Sequence, residues 1–166
     1  KVSYDDVRFA LPPERFEAGT SPIAEAVGLG AAIAWLDGTG PGGVAGGIDA
    51  VRAHAQEVTG YALARLAELP WVTTYGPGAD APDAGCPEDR AGIVTFTVDG
   101  VHPHDVAEIL GRRGVCVRAG HHCAQPLMER LGVTATTRAS FAAHTTMAEI
   151  DQLTDALGEV RRVFGD

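Results

Sequence analysis

The sequence has a single lysine, Lys1; its other twelve basic residues are arginines. After the first residue it therefore offers no amine for Schiff-base chemistry. Cysteine is sparse and odd in number, three in all, which reads as free thiols of a reducing cytosol and not as a disulfide framework. Positive charge is in deficit. A net charge of -9 argues against nucleic acid as a partner, because phosphate binding wants a basic face. No apolar run approaches the ~18 residues of a membrane span. Lys1-Val2-Ser3-Tyr4-Asp5-Asp6 has no apolar stretch of a signal peptide. Gly28-x-Gly30 lacks a third glycine in place, so it is not a dinucleotide fingerprint, and Asp37 to Gly43 lacks the Gly-Lys-Ser/Thr ending of a phosphate loop. Cys86 has no second Cys or His at metal-ligand spacing and reads as an inert loop thiol.

What is present fits a soluble globular protein: 166 residues, 45% hydrophobic and 21% charged, enough for one domain or a little more with a real core. The chain opens without a methionine and reads as the C-terminal part of a longer polypeptide.

Residues 1–20 read as extended, bent at Pro12-Pro13. Ser21-Pro22 predicts a helix to about Leu36, with Ser21 as N-cap and Pro22 at the first helical position. Gly28, Gly30, Ala31 and Ala32 give it a small-residue face suited to close packing in its own domain. Asp37 to Gly43 is the linker candidate. A second helix is expected from Gly47 or Ile48 to Glu68, with Val51, Val58, Ala62, Leu66 and Leu69 as its stripe. Strands follow at Trp71–Tyr75 and Ile93–Val98, the latter burying Val94, Phe96 and Val98, with a surface loop over 78–90 between them. His102-Pro103 starts a helix that Gly114 ends. Val115–Val117 reads as a strand, with Cys116 as a core residue. A short helix to Arg130 and a strand over Thr137–Ala142 come next. Thr146-Met147-Ala148-Glu149 is a capping box, opening a helix with Ile150, Leu153, Leu157, Val160 and Phe164 inward. Four strands alternating with helices imply an α/β or α+β domain.

The most informative run is Arg118-Ala119-Gly120-His121-His122-Cys123-Ala124-Gln125-Pro126-Leu127-Met128. It sets a cysteine in a loop at a strand end, beside groups able to hold protons or cations. Such a setting can favour the nucleophilic thiolate. Composition and spacing leave three readings open: polar loop residues, part of a zinc site, or an activated nucleophile. Zinc needs three or four ligands, and only His102 and His104 could add to the set. Neighbours in an extended chain also point opposite ways, so His121, His122 and Cys123 rarely share one metal.

Four segments in order resemble type II (SUF-type) cysteine desulfurases, which are enzymes of pyridoxal 5'-phosphate (PLP). They are Arg15-Phe16-Glu17-Ala18-Gly19-Thr20, His102-Pro103-His104-Asp105, the Arg-x-Gly-His-His-Cys run at 118–123, and Thr137-Arg138-Ala139-Ser140-Phe141. The resemblance covers essentially the whole chain, at the family's C-terminal end. It implies an α/β protein of the PLP-dependent aminotransferase-like fold (fold type I), as a homodimer. Residues 1–40 would be the end of the large PLP-binding domain, and 41–166 the small C-terminal α/β domain. By position, Cys123 would be the nucleophile. It would take sulfur from L-cysteine, leaving alanine and a persulfide for an acceptor protein serving iron–sulfur cluster assembly. Arg138 would clamp the substrate carboxylate with Arg118 beside it, and His121 and His122 would shape the substrate loop or carry protons. Thr20 would contact the PLP phosphate of the neighbouring subunit. No resident metal is implied. His104 would approach the zinc of a zinc-containing, scaffold-like acceptor. The family holds its cofactor on an internal lysine, which this chain does not supply. Two other readings stay beside this one: a selenocysteine lyase, and a stand-alone persulfide carrier without PLP.

Overall fold

The computed structural model describes residues 4–78, 80 and 86–165. The chain divides into two compact units, residues 1–48 and 49–166. The loop expected over 78–90 lies partly outside the described residues.

The first unit carries a 3-10 turn, Glu14–Phe16, and helix α1, Ile23–Leu36. The helix begins after Pro22, not at it. Pro22 has ψ 73, outside the helical region, and the Ile23 N–H donates to the Ser21 carbonyl at 2.8 Å. Ser21 therefore does not cap it. The expected close packing of α1 is also absent within this unit. None of its residues is buried, and a Cβ placed at Gly28 or Gly30 would meet nothing within 4 Å. The 37–43 segment is a tight, hydrogen-bonded turn. Asp37 Oδ1 accepts from the Thr39 N–H and hydroxyl, which holds its carboxyl below the usual carboxylate range. Gly38 has φ 81, and a Cβ there would lie 2.6 Å from the Val44 carbonyl oxygen, so glycine is required.

The second unit follows from hydrophobic periodicity. Helix α2 (Gly47–Ala67), whose first two residues belong to the first unit, leads to strands β1 (Val72–Tyr75) and β2 (Ile93–Val98), helix α3 (Pro103–Arg112) and strand β3 (Arg118–Gly120). Helix α4 (Gln125–Leu131), strand β4 (Thr136–Ser140) and helix α5 (Met147–Phe164) complete it. The four strands form one antiparallel sheet in the order β1-β2-β4-β3. Val94, Phe96 and Val98 of β2 and Ala139 of β4 share one core with Val58, Ala62, Leu63 and Leu66 of α2. Val106 and Leu110 of α3 and the inner stripe of α5 join the same core. Each fully buried aliphatic or aromatic side chain contributes roughly 1.5–3 kcal/mol.

Helix α5 opens with the predicted capping box, both arms of which are made. Its stripe is buried from Ile150 to Val160, but Phe164, one turn beyond the last residue of the helix that reaches the core, is 49% exposed. Helix α3 starts as expected, with His102 at its N-cap and Pro103 at the first position. The strand expected at Val115–Val117 is displaced to Arg118–Gly120. The Val115 N–H is taken by the Leu110 carbonyl, so the chain first closes the end of α3 and only then joins the sheet. Val115 and Val117 still pack on the core, whereas Cys116 between them is exposed and is not a core residue. No helix among the described residues is long and apolar enough to cross a membrane.

Candidate active site

Side chains alternate along a strand. Since Val94, Phe96 and Val98 point at the helices, Thr95 and Thr97 point to the opposite face of the sheet. Register carries this division across. Thr95 stands opposite Tyr75 of β1 and Arg138 of β4, and Arg138 stands opposite Arg118 of β3. All four therefore share the face away from the core.

Two arginines thus lie directly opposite each other. Like charges so placed repel, and neither belongs to a salt bridge among the described residues. Arg138 is half-buried, and its Nε is a buried donor with no partner. This is a site that wants an anion, and a guanidinium fork suits a carboxylate.

The loop after β3 and the short helix α4 cover part of this face. His122 Nε2 lies 3.0 Å from Thr136 Oγ1 and 3.2 Å from the Thr136 carbonyl oxygen. Thr136 Oγ1 in turn donates weakly to Met128 Sδ at 3.8 Å. Between cover and sheet is a cavity of about 290 Å³, lined by Tyr75, Thr95 and Arg138 on the sheet side and by His122, Leu127 and Met128 on the other. Burial, and then the charge of Arg138, hold His122 below the ordinary imidazole value. Both effects favour the neutral ring.

Cys123 follows on the same loop and is exposed. His122 and Cys123 have φ of 56 and 60, two successive non-glycine residues in the left-handed region. Each such residue costs on the order of 1 kcal/mol, and such strain gathers at functional loops. The turn is closed by the Ala124 N–H donating to the His121 carbonyl at 2.9 Å, and the His122 bond to Thr136 ties it to β4. The thiol is thereby presented to solvent at the end of β3.

The structure thus gathers Arg118, Arg138 and His122 on one face, with His121 and Cys123 exposed on the adjoining loop. His104 does not line this cavity. It is the second residue of α3, exposed, with its N–H donating to His102 Nδ1 at 3.3 Å and its ring edge-on to His102. Thr20 is exposed in the first unit. Sequence reasoning missed Tyr75, Thr95 and Thr136, although strand alternation could have placed Thr95 opposite the core. It also missed Arg90, which is 9% exposed and forms no salt bridge among the described residues. Arg90 donates to the carbonyls of Tyr75 at 2.8 Å, Ile93 at 3.1 Å and Pro77, bracing the Tyr75 end of the cavity. Nothing in its sequence context signals that.

Fold and site together define a class, and comparison with known proteins agrees. The Aminotransferase class-V family model matches residues 1–153. The chain belongs to that family. It is 44% identical over 164 residues to a probable cysteine desulfurase of Streptomyces coelicolor, covering 99% of this chain and 36% of the relative. It is 48% identical over 153 residues to a probable cysteine desulfurase of Halalkalibacterium halodurans, covering 92% of this chain and 34% of the relative. Among solved structures, the apo cysteine desulfurase of Thermococcus onnurineus matches with a TM-score of 0.79 at 36% identity, over 98% of this chain and 37% of that one. The cysteine desulfurase CsdA of Escherichia coli, in an S-sulfonic acid form, matches at 0.76 and 31% identity, over 98% of this chain and 36% of that one. The chain thus spans about a third of the length of these relatives.

The family implies PLP. The described residues contain no lysine to attach it, and the only lysine of the sequence is Lys1. The orphaned Arg138 Nε and the facing Arg118 suit an anionic ligand but supply no amine. These residues fit the substrate side of such a site and do not fit covalent attachment of the cofactor.

Proposed function

We propose that this chain is the sulfur-accepting portion of a cysteine desulfurase of the SUF type, with Cys123 as the acceptor. The observation that carries the reading is the exposed Cys123 thiol on a strained loop that adjoins the Arg118–Arg138 pair. An α-amino acid presents a carboxylate, and that arginine pair is an anion site. The substrate's thiol sulfur then falls to the nearby nucleophile, and sulfur attacking sulfur suits a thiolate. PLP, when bound in the complete protein, would supply the electron sink for the carbon–sulfur bond. In this reading residues 1–40 close the large PLP-binding domain, Thr20 serves the cofactor phosphate across a homodimer, and the protein is cytoplasmic. The persulfide passes to an acceptor protein for iron–sulfur cluster assembly. His104, exposed at the start of α3, would enter the zinc shell of a scaffold-like acceptor. A stand-alone persulfide carrier is the second reading, favoured by the exposure of Cys123, which a carrier needs and which asks for no cofactor.

The test is Cys123→Ser in the full-length polypeptide, with alanine and sulfide measured from L-cysteine. An alkoxide is a far weaker nucleophile toward sulfur, so turnover should fall at least a hundredfold, on the order of 3 kcal/mol of barrier, while the cofactor's absorbance persists. Turnover near the parent level would overturn the assignment of Cys123. A full-length parent without PLP that still accepts sulfur from a persulfide donor would favour the carrier.

A further inference from the structure

Two of the buried side-chain atoms that lack a hydrogen-bond partner are His122 Nδ1 and Arg138 Nε. Their chemistry is complementary. The Thr136 carbonyl can only accept, so His122 must approach it with Nε2–H, and Thr136 Oγ1, spending its own proton on Met128 Sδ, accepts from the same nitrogen. In the neutral ring the proton on Nε2 leaves Nδ1 as a bare acceptor. Arg138 Nε–H is a donor without an acceptor. Thr136 and Arg138 are two residues apart on β4 and so share a face. His122 sits on Thr136 and lines the same cavity as Arg138, whose charge acts on the ring.

Resting on the desulfurase reading above, we propose that His122 is the positioning residue of Arg138. Its Nδ1 receives the Arg138 Nε–H when the cavity fills. That bond takes one edge of the guanidinium and leaves the two terminal nitrogens for the carboxylate of an incoming amino acid. Both orphans are then satisfied, and Arg138 keeps its orientation without a carboxylate partner of its own, which would compete with the ligand. Thr136 fixes the ring in the one tautomer able to do this. His122 in this role moves no proton.

The experiment uses the full-length enzyme and variants that separate the two ring nitrogens. Asparagine at 122 keeps a hydrogen-bonding oxygen at the place of Nδ1, whereas glutamine places its amide near Nε2. His122→Gln should raise KM for cysteine about tenfold, the size of one charge-assisted hydrogen bond, with kcat within a few-fold of the parent. His122→Asn should recover most of that KM. The reverse ranking would mean that His122 only ties the loop to Thr136, and would overturn the proposal. So would a fall in kcat alone, the signature of a proton carrier. A readout free of turnover is nitrogen NMR of histidine-labelled protein. His122 should show a protonated Nε2 and a bare Nδ1, and the Nδ1 signal should move when L-alanine is added as a carboxylate probe. A protonated Nδ1, or no movement with bound alanine, contradicts the proposal. Because this signal needs no catalysis, a failed desulfurase reading and a failed positioning role are told apart.

Discussion

Arg138 is held in place by the strand it belongs to and by the ladder on either side, not by a counter-ion. Its backbone pairs with Thr95 on one side and Arg118 on the other, so replacing the side chain leaves the sheet intact. Lysine keeps the charge but loses the fork. Arg138→Lys in the full-length protein should lower kcat/KM for cysteine roughly 30-fold, about 2 kcal/mol of the range for a desolvated charge pair. The melting temperature should move little. Unchanged kcat/KM would show that the carboxylate is held elsewhere. At this scale the site was partly legible. The run 118–128 and Arg138 named residues that the fold brings to one sheet face and its adjoining loop. The cross-strand pairing of two arginines, the Thr136 tie on His122 and the left-handed turn at Cys123 were not legible, because each depends on register set by distant segments. Arg90 shows the limit most plainly. Its three carbonyl partners come from loop ends that meet only in the folded chain.

Elements with strong periodicity and a defined start were read well. Strand β2 matches its expected span, and α5 begins at its capping box. The errors fall where backbone hydrogen bonds choose between two partners. The Val115 N–H goes to the end of α3 instead of β4, which moved a strand and exposed Cys116. Pro22 stays outside the helical region, which moved the start of α1. Phe164 follows the helical pattern of α5 but lies one turn beyond the last residue of the helix in the core. This contrast is measurable in a polypeptide of residues 49–166. Leu157 is fully buried, so Leu157→Ala should cost on the order of 3 kcal/mol. Phe164→Ala should stay within about 0.5 kcal/mol, as for surface changes away from packed features. Urea midpoints of the two variants decide it, and equal losses would mean that Phe164 packs in solution.

The two units of the molecule differ in what holds them. Residues 49–166 contain the whole of the contiguous core, which draws on three helices and two strands of one sheet. A single core of that kind unfolds as one cooperative transition in small domains. In the first unit Gly47 is the only buried residue among those described, and it has no side chain to bury. Ile23, Val27, Leu29 and Ile33 of α1 are each more than half exposed. An isolated helix of 14 residues is marginal in water without a packed face. The two segments should therefore behave differently when made separately. Residues 49–166 should melt cooperatively, with slow amide exchange across β2, β4 and α5. Residues 1–48 should show weak helicity that fades gradually on heating. A sharp melting transition in the short segment would reveal a core that its side-chain burial does not contain. Non-cooperative melting of 49–166 would mean that the sheet with Arg118 and Arg138 needs further chain to form, and the arginine pair would then be a property of the larger assembly alone.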